Sequence, residues 1–318
     1  MPPAYDVDIR ALGEKSPVIF RGEIVEVHST GENSPDRTQE SLATFRIDRL
    51  YRGSIDATVS FKFAYEEQLA FNGHDCIDFR PNTYWVVFAR QNKESLELID
   101  DCVGAFSISP SLGPVLQNST WFEQMEADFL SGLQDSDPGS RLLSIQRLGG
   151  LALASSRDAL HKIIETGDER ESKWAIYAAL RTGDISVLPE VRHLLELGDR
   201  SGPESSMALR LQNVAAREAV PELIAILESA PGELTRACVT VALGEKIKDR
   251  RAVPSLAAHL TDPDRSVRYN ALDGLKNITH EAACTLPWAW QESDVNPQIS
   301  ACKAWWDAEG RRRLWNGD

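Results

Sequence analysis

The chain is poor in what a membrane span, a secretion signal or a hydrolytic centre requires. None of its 318 residues fall in a run of the roughly 18 apolar side chains that a transmembrane helix needs. The opening Met-Pro-Pro-Ala-Tyr-Asp lacks a basic start and a following apolar stretch. Either the protein is cytoplasmic or a signal was removed ahead of Met1, so the compartment stays open. Positive charge is also scarce, with 34 Lys and Arg against 48 Asp and Glu, a net charge of -14. The deficit is even, -7 over residues 1–118 and -7 over the remainder. Most of such a surface repels phosphates, which argues against a nucleic-acid partner. The six histidines, His28, His74, His161, His193, His259 and His280, show no His-x-x-x-His spacing and no neighbouring Cys pair, so no zinc site is expected. His74-Asp75-Cys76 comes nearest to a reactive cluster, but neighbours along a strand point to opposite faces. Gly149-Gly150 does not form a phosphate loop. The expectation is a chain with no catalytic residues, no metal and no cofactor.

What the sequence does have is one unit written repeatedly. Ala219-Val220-Pro221-Glu222-Leu223 returns as Ala252-Val253-Pro254-Ser255-Leu256. Each copy opens an apolar run at helical spacing, Leu223, Ile226 and Leu227, then Leu256, His259 and Leu260. Arg236 leads to Ala242-Leu243-Gly244, and Arg268 leads to Gly274-Leu275. Each unit therefore reads as two helices, the first bent and ending near Gly or Lys, the second with Pro in its first turn, where the missing N–H costs nothing. Traced backwards, an anchoring Leu falls at Leu148, Leu180, Leu209, Leu243 and Leu275. A basic residue stands seven before it at Arg141, Lys173, Arg236 and Arg268; the third unit has Gly202 there. Pro189, Pro221 and Pro254, spaced 32 and 33 apart, form a further column, with Asp158 in its place one unit earlier. Five such units exceed the roughly three that bury a continuous core.

This pattern resembles the HEAT family of helical repeats in its short bacterial form, which implies an α-solenoid that holds partners. Aligning on the Pro column places His161 and Lys162, Arg192 and His193, Ile224 and Ala225, and Ala257 and Ala258 at equivalent outward positions on the second helices. The series runs from basic to small and apolar, so the expected partner is a protein or an acidic, carboxylate-bearing peptide with an apolar segment. The plain alternative is a solvated face. Asp262-Pro263-Asp264 has the look of a metal pair, yet such an Asp caps the next helix and can pair with the basic column.

In the front part the period changes to two. Ala43, Phe45, Ile47 and Tyr51 alternate with Thr44, Arg46 and Asp48, and Val59, Phe61 and Phe63 alternate with Ser60 and Lys62, which predicts half-buried strands. Residues 18–27 form a longer strand with a bend or bulge at Gly22. Tyr84–Ala89 and Leu96–Ile99 complete five strands, enough for a small barrel. Val18-Ile19-Phe20-Arg21-Gly22, Ala43-Thr44-Phe45-Arg46-Ile47 with Tyr51-Arg52-Gly53, Cys76-Ile77-Asp78-Phe79, Tyr84–Ala89 and Cys102 resemble the netrin-like domain of the tissue-inhibitor-of-metalloproteinases type, over residues 17–105. The resemblance implies a five-stranded OB-like barrel and a disulfide between Cys76 and Cys102, with two free thiols in a reducing compartment as the alternative reading. That family lays an N-terminal Cys-Xaa-Cys over an enzyme's zinc. This chain has no Cys before Cys76, so the resemblance carries architecture rather than inhibition.

The expected whole is an α+β multidomain protein: a barrel over residues 1–118, a connecting helix at 119–136, about five HEAT-like repeats at 137–280 and a Trp-rich cap at 281–318. Ser107 to Pro114, dense in breakers, marks the join. Trp121, Phe122, Met125, Phe129 and Leu133 follow an N-cap from Asn118-Ser119-Thr120 and read as the helix sealing the barrel against the first repeat. Cys284 and Cys302 flank the last loop and are candidates for a bridge. Cys238 reads as an inert core thiol. Trp288, Trp290, Trp305, Trp306 and Trp315 read as a solenoid cap, and Arg311-Arg312-Arg313 as a solvated end. A non-enzymatic binding or scaffold protein is the leading function. The alternatives are a regulator or inhibitor of an extracellular protease, and a lyase-like HEAT protein of the bilin-attachment kind.

Overall fold

The computed structural model describes residues 7–33, 38–66, 79–91, 96–100, 103–198, 203–285 and 296–315. It divides into two compact units, Met1–Thr182 and Gly183–Asp318.

The first unit is built on an antiparallel sheet of β1 (Val18–Asn33), β2 (Thr38–Arg52), β3 (Thr58–Glu66), β4 (Tyr84–Gln91), β5 (Leu96–Leu98) and β6 (Ala105–Ile108). The order is β3-β2-β1-β4-β5, with β6 also paired to β4. Alternation does its expected work: Phe45, Phe61 and Phe63 face inward with Phe20 and Phe79 to form one aromatic cluster, and Arg46 and Ser60 point to water. The register of β1 against β2 shifts between Arg21 and Gly22. Glycine is required there, since a Cβ would lie 2.8 Å from the Arg46 carbonyl oxygen. Two expectations change. A sixth strand, β6, occupies the start of the presumed join, where four residues were too short to show a period. The sheet is also not closed among the described residues: its edges β3 and β5 come within 8 Å without pairing.

Helices of the first unit are α1 (Ile9–Glu14), α2 (Trp121–Gly132), α3 (Pro138–Leu151), α4 (Arg157–Thr166) and α5 (Glu169–Arg181). The Thr120 side chain caps α2 reciprocally with Glu123. Trp121, Met125, Phe129 and Leu133 are buried, as the helical stripe requires. Arginines bind these helices and the join to the sheet. Arg21, 1 % exposed, pairs with Asp48 at 3.1 Å and donates to the carbonyls of Ser109, Pro110 and Ser111 at 3.2, 2.7 and 2.6 Å. Arg49 and Tyr51 both donate to Asp128 on α2, at 2.7 and 2.6 Å. Burial pushes the Asp128 carboxyl above its usual range despite these donors. Arg147 on α3 donates to the Ser107 carbonyl and lies over the Phe106 ring; burial, aided by Arg181, lowers its guanidinium to about 10.

The second unit continues the helix pairs: α6 (Leu188–Leu197), α7 (Glu204–Leu211), α8 (Val220–Ser229), α9 (Glu233–Val241), α10 (Val253–Ala258) and α11 (Arg265–Thr279), followed by α12 (Asn296–Trp305) and α13 (Arg311–Trp315). Pro189, Pro221 and Pro254 each stand in the first turn of a second helix. The bent first helix is real: α9 widens into a π-helical stretch at Ala242–Ile247 and stops at Lys248, whose φ is 54°. Here α9 and α11 touch backbone to backbone, because a Cβ on Gly244 would sit 2.4 Å from the Gly274 Cα.

Cys284 and Cys302 form a disulfide, both fully buried, tying the end of the last repeat to α12. Trp306 is buried and Trp305 half-buried beside it. Arg311 and Arg313 pair with Asp307, Glu281 and Glu309 at the surface. Cys238 is a buried free thiol whose pKa burial raises. Cys76, Cys102, Trp288 and Trp290 lie outside the described residues.

Candidate partner-binding surface

The basic column is structural wherever it holds arginine. Arg141 donates to Glu171 at 2.8 Å and to the carbonyls of Asp135 and Ser136 just ahead of its own helix. Arg236 repeats this three array positions later: its Nε and Nη2 donate to Asp262 at 2.8 and 3.2 Å, and its Nη1 to the carbonyls of Ala230 and Pro231. Arg268 closes on the carbonyls of Asp262 and Pro263. Burial works to raise the Asp262 carboxyl, but hydrogen bonds from Arg236 and the Asp264 N–H outweigh it and the net shift is downward. Asp264 caps α11 through the Val267 N–H at 3.0 Å. The Asp262-Pro263-Asp264 segment is thus a repeat joint, in line with what the resemblance to helical repeats implies.

The third unit departs from this pattern. Leu209, counted from sequence as its anchor, is 44 % exposed, whereas Leu211 is fully buried. Taking Leu211 makes the anchor spacings 32, 31, 32 and 32. The residue seven before Leu211 is Glu204, so the column that holds Arg or Lys in the other four units carries the opposite charge here. Glu204 is 4 % exposed, and neither carboxylate oxygen has a hydrogen-bond partner among the described residues.

Glu204 lines a cavity of about 480 Å³ whose other walls are Leu195 and Gly198 at the end of α6, Ser205 and Ala208 on α7, and Pro231 to Thr235 around the start of α9. That volume is in the range of about 300–1,000 Å³ usual for ligand sites. Among the described residues of the second unit, three large apolar side chains are exposed, Leu197 at 61 %, Leu209 at 44 % and Leu234 at 43 %. Leu234 is itself a cavity wall, and Leu197 and Leu209 are chain neighbours of the wall residues Gly198 and Ala208.

The outward positions expected from the Pro column fall as follows. On α4, His161 is half-buried and Lys162 exposed. On α6, His193 is exposed, and Arg192 is engaged by Glu222 at 3.3 Å and Glu196 at 3.9 Å, which neutralises it locally. Ile224 and Ala225 on α8 are half-buried; on α10 Ala258 is exposed and Ala257 is buried at 6 %. These residues divide between the two units, His161 and Lys162 in the first and the other six in the second. The charged cavity lies outside the expected surface because Glu204 sits on the first helix of its pair, in the one unit where a Leu209 anchor puts Gly202 in the column.

Residues 220–286 match the family described as HEAT repeats. That stretch runs from α8 to the turn holding Cys284. No curated protein matches the chain. Among solved structures it is similar to the complex of CpcE and CpcF of phycocyanin lyase from Nostoc sp. PCC7120, at 21% identity over 56% of this chain and 70% of that one, with a TM-score of 0.39.

Proposed function

We propose that this chain is a non-enzymatic protein-binding scaffold whose helix-pair array holds a segment of a partner protein. The observation that carries the reading is the exposure of Leu234 on a cavity wall together with that of Leu197 and Leu209, chain neighbours of two further wall residues. Large apolar side chains left together in water mark interaction sites. The HEAT-repeat match over 220–286 supports the same reading, since stacked helix pairs present extended binding surfaces. In this reading the N-terminal sheet is an OB-type, netrin-like scaffold. Its strand order β3-β2-β1-β4-β5, with β3 and β5 left as neighbouring edges, supports that architecture. The acidic-peptide expectation rested on Lys162 and Arg192. With Arg192 tied to two glutamates, the second unit presents carboxylate and apolar surface instead.

The test uses the full chain and a Leu197→Ser, Leu209→Ser, Leu234→Ser variant as immobilised baits against host extract. Any captured protein is then purified and titrated calorimetrically against both. Binding by the wild type with at least tenfold loss in the variant is expected. Equal affinity of the two baits would refute the reading, as would turnover of the captured molecule.

A further inference from the structure

We infer that the Glu204 cavity receives an arginine side chain from the bound partner. This deepens the protein-binding reading and rests on it.

At Arg141–Glu171 and Arg236–Asp262 a carboxylate and a guanidinium meet in a partly buried joint. In the third unit the column residue is the acid, and no hydrogen-bond donor of the described residues answers it. A carboxylate shielded from water without donors is unfavourable, and it attracts whatever donor can reach it. Glu204 is one of the residues lining the cavity and both its oxygens are shielded from water, so a donor that reaches them enters through the cavity. Its apolar walls, Leu195, Ala208, Pro231 and Leu234, suit an aliphatic stem, and Ser205 and Thr235 add hydroxyls. Glu233, exposed on the same wall, contributes a second negative charge. Against a cation stands the N-terminus of α9, whose Gly232 gives it no side-chain cap. That end is worth roughly half a positive charge, less than either carboxylate. The balance favours a cation, and the two oxygens of one carboxylate match the planar fork of a guanidinium better than the point charge of an ammonium.

The test uses a fluorescein-labelled hexapeptide with one arginine flanked by leucines, and its citrulline counterpart, which keeps the shape and loses the charge. Anisotropy titrations are run on the full wild-type chain and on Glu204→Gln. Circular dichroism and thermal unfolding confirm that the variant is folded; with an unpaired carboxylate removed, its melting temperature should be unchanged or higher. We expect the wild type to prefer the arginine peptide by tenfold or more and Glu204→Gln to lose that preference. Equal binding of the two peptides would overturn the guanidinium assignment while leaving the binding reading intact. An arginine preference that survives in Glu204→Gln would also overturn it, as would no binding of either peptide up to millimolar concentration.

Discussion

Replacing Arg21 by methionine should cost the first unit far more than any surface substitution. The guanidinium is buried in β1 and holds five acceptors or rings at once: Asp48, the carbonyls of Ser109, Pro110 and Ser111, and the face of Tyr84, whose centroid is 5.7 Å away. Methionine keeps much of the volume but leaves three carbonyls without their donor and Asp48 without its counter-ion. Charged hydrogen bonds contribute about 1.5–3 kcal/mol each, and breaking a buried pair costs about 3–5 kcal/mol, with the terms overlapping rather than adding. We therefore expect a loss of about 4 kcal/mol. With a urea m-value of ~2 kcal/mol/M, the midpoint falls by ~2 M. Lysine at the same position keeps the charge but cannot present the fork, and should recover about half. The assay is urea unfolding read by hydrogen exchange, which separates peptides of β1, β2 and 109–111 from those of α9 to α11. A midpoint shift below about 0.5 M, or lysine equal to arginine, would refute the view that this side chain fastens the join to the sheet.

Three further outcomes are expected. Gly244→Ala drives a methyl to within 2.4 Å of the Gly274 Cα, so α9 and α11 must separate, at about 2 kcal/mol; urea unfolding of the second unit tests this, and a loss below about 0.5 kcal/mol would contradict the backbone contact. The lowered pKa of Asp262 means that its pairing with Arg236 stabilises the fold above the ordinary value of 3.8 and fades as pH falls through the lower folded value. The stability gap between wild type and Asp262→Asn should accordingly be largest near neutrality and close as pH falls through the folded-state value below 3.8; a gap constant with pH would be the wrong result. Replacing Cys284 and Cys302 together by alanine opens a loop of 18 residues, worth about 3 kcal/mol in chain entropy, and hydrogen exchange in α12 should rise while β1 and β2 are unaffected.

The fold was legible where a period repeats often enough to average out local exceptions. Phe45, Phe61 and Phe63 announce a half-buried sheet because period-two alternation runs through two long strands. Pro189, Pro221 and Pro254 announce helix pairs because each fills a first-turn position with the same backbone requirement. Short elements escaped for the converse reason. β6 has four residues and is buried on both faces at Ala105 and Phe106, so it shows no alternation. The helix α1 has six, begun by Asp8 accepting the Ala11 N–H at 2.9 Å, and too few turns to show a stripe. The extent of closure of the sheet depends on how β3 and β5 approach, which pairwise alternation along each strand does not encode.

The site was hidden by one counting choice, and the correction was available in the sequence. Anchoring the third unit on Leu209 gives spacings of 32, 29, 34 and 32, while Leu211 gives 32, 31, 32 and 32. Regular spacing is the physical requirement, because each pair must present its buried leucine at the same height as its neighbours to share one core. Under the first choice the third column residue is Gly202, which reads as a gap. Under the second it is Glu204, a charge inversion in a column whose arginines are consumed by joint-forming contacts. A repeat that keeps its core and reverses its joint charge has not lost the fold, since Met207, Ala208 and Leu211 remain buried. It has given up an internal ion pair at a place where a cavity opens. In an array of near-identical units the conserved columns specify the solenoid, so the position that breaks a column without breaking the core is where recognition of something outside the chain should be sought.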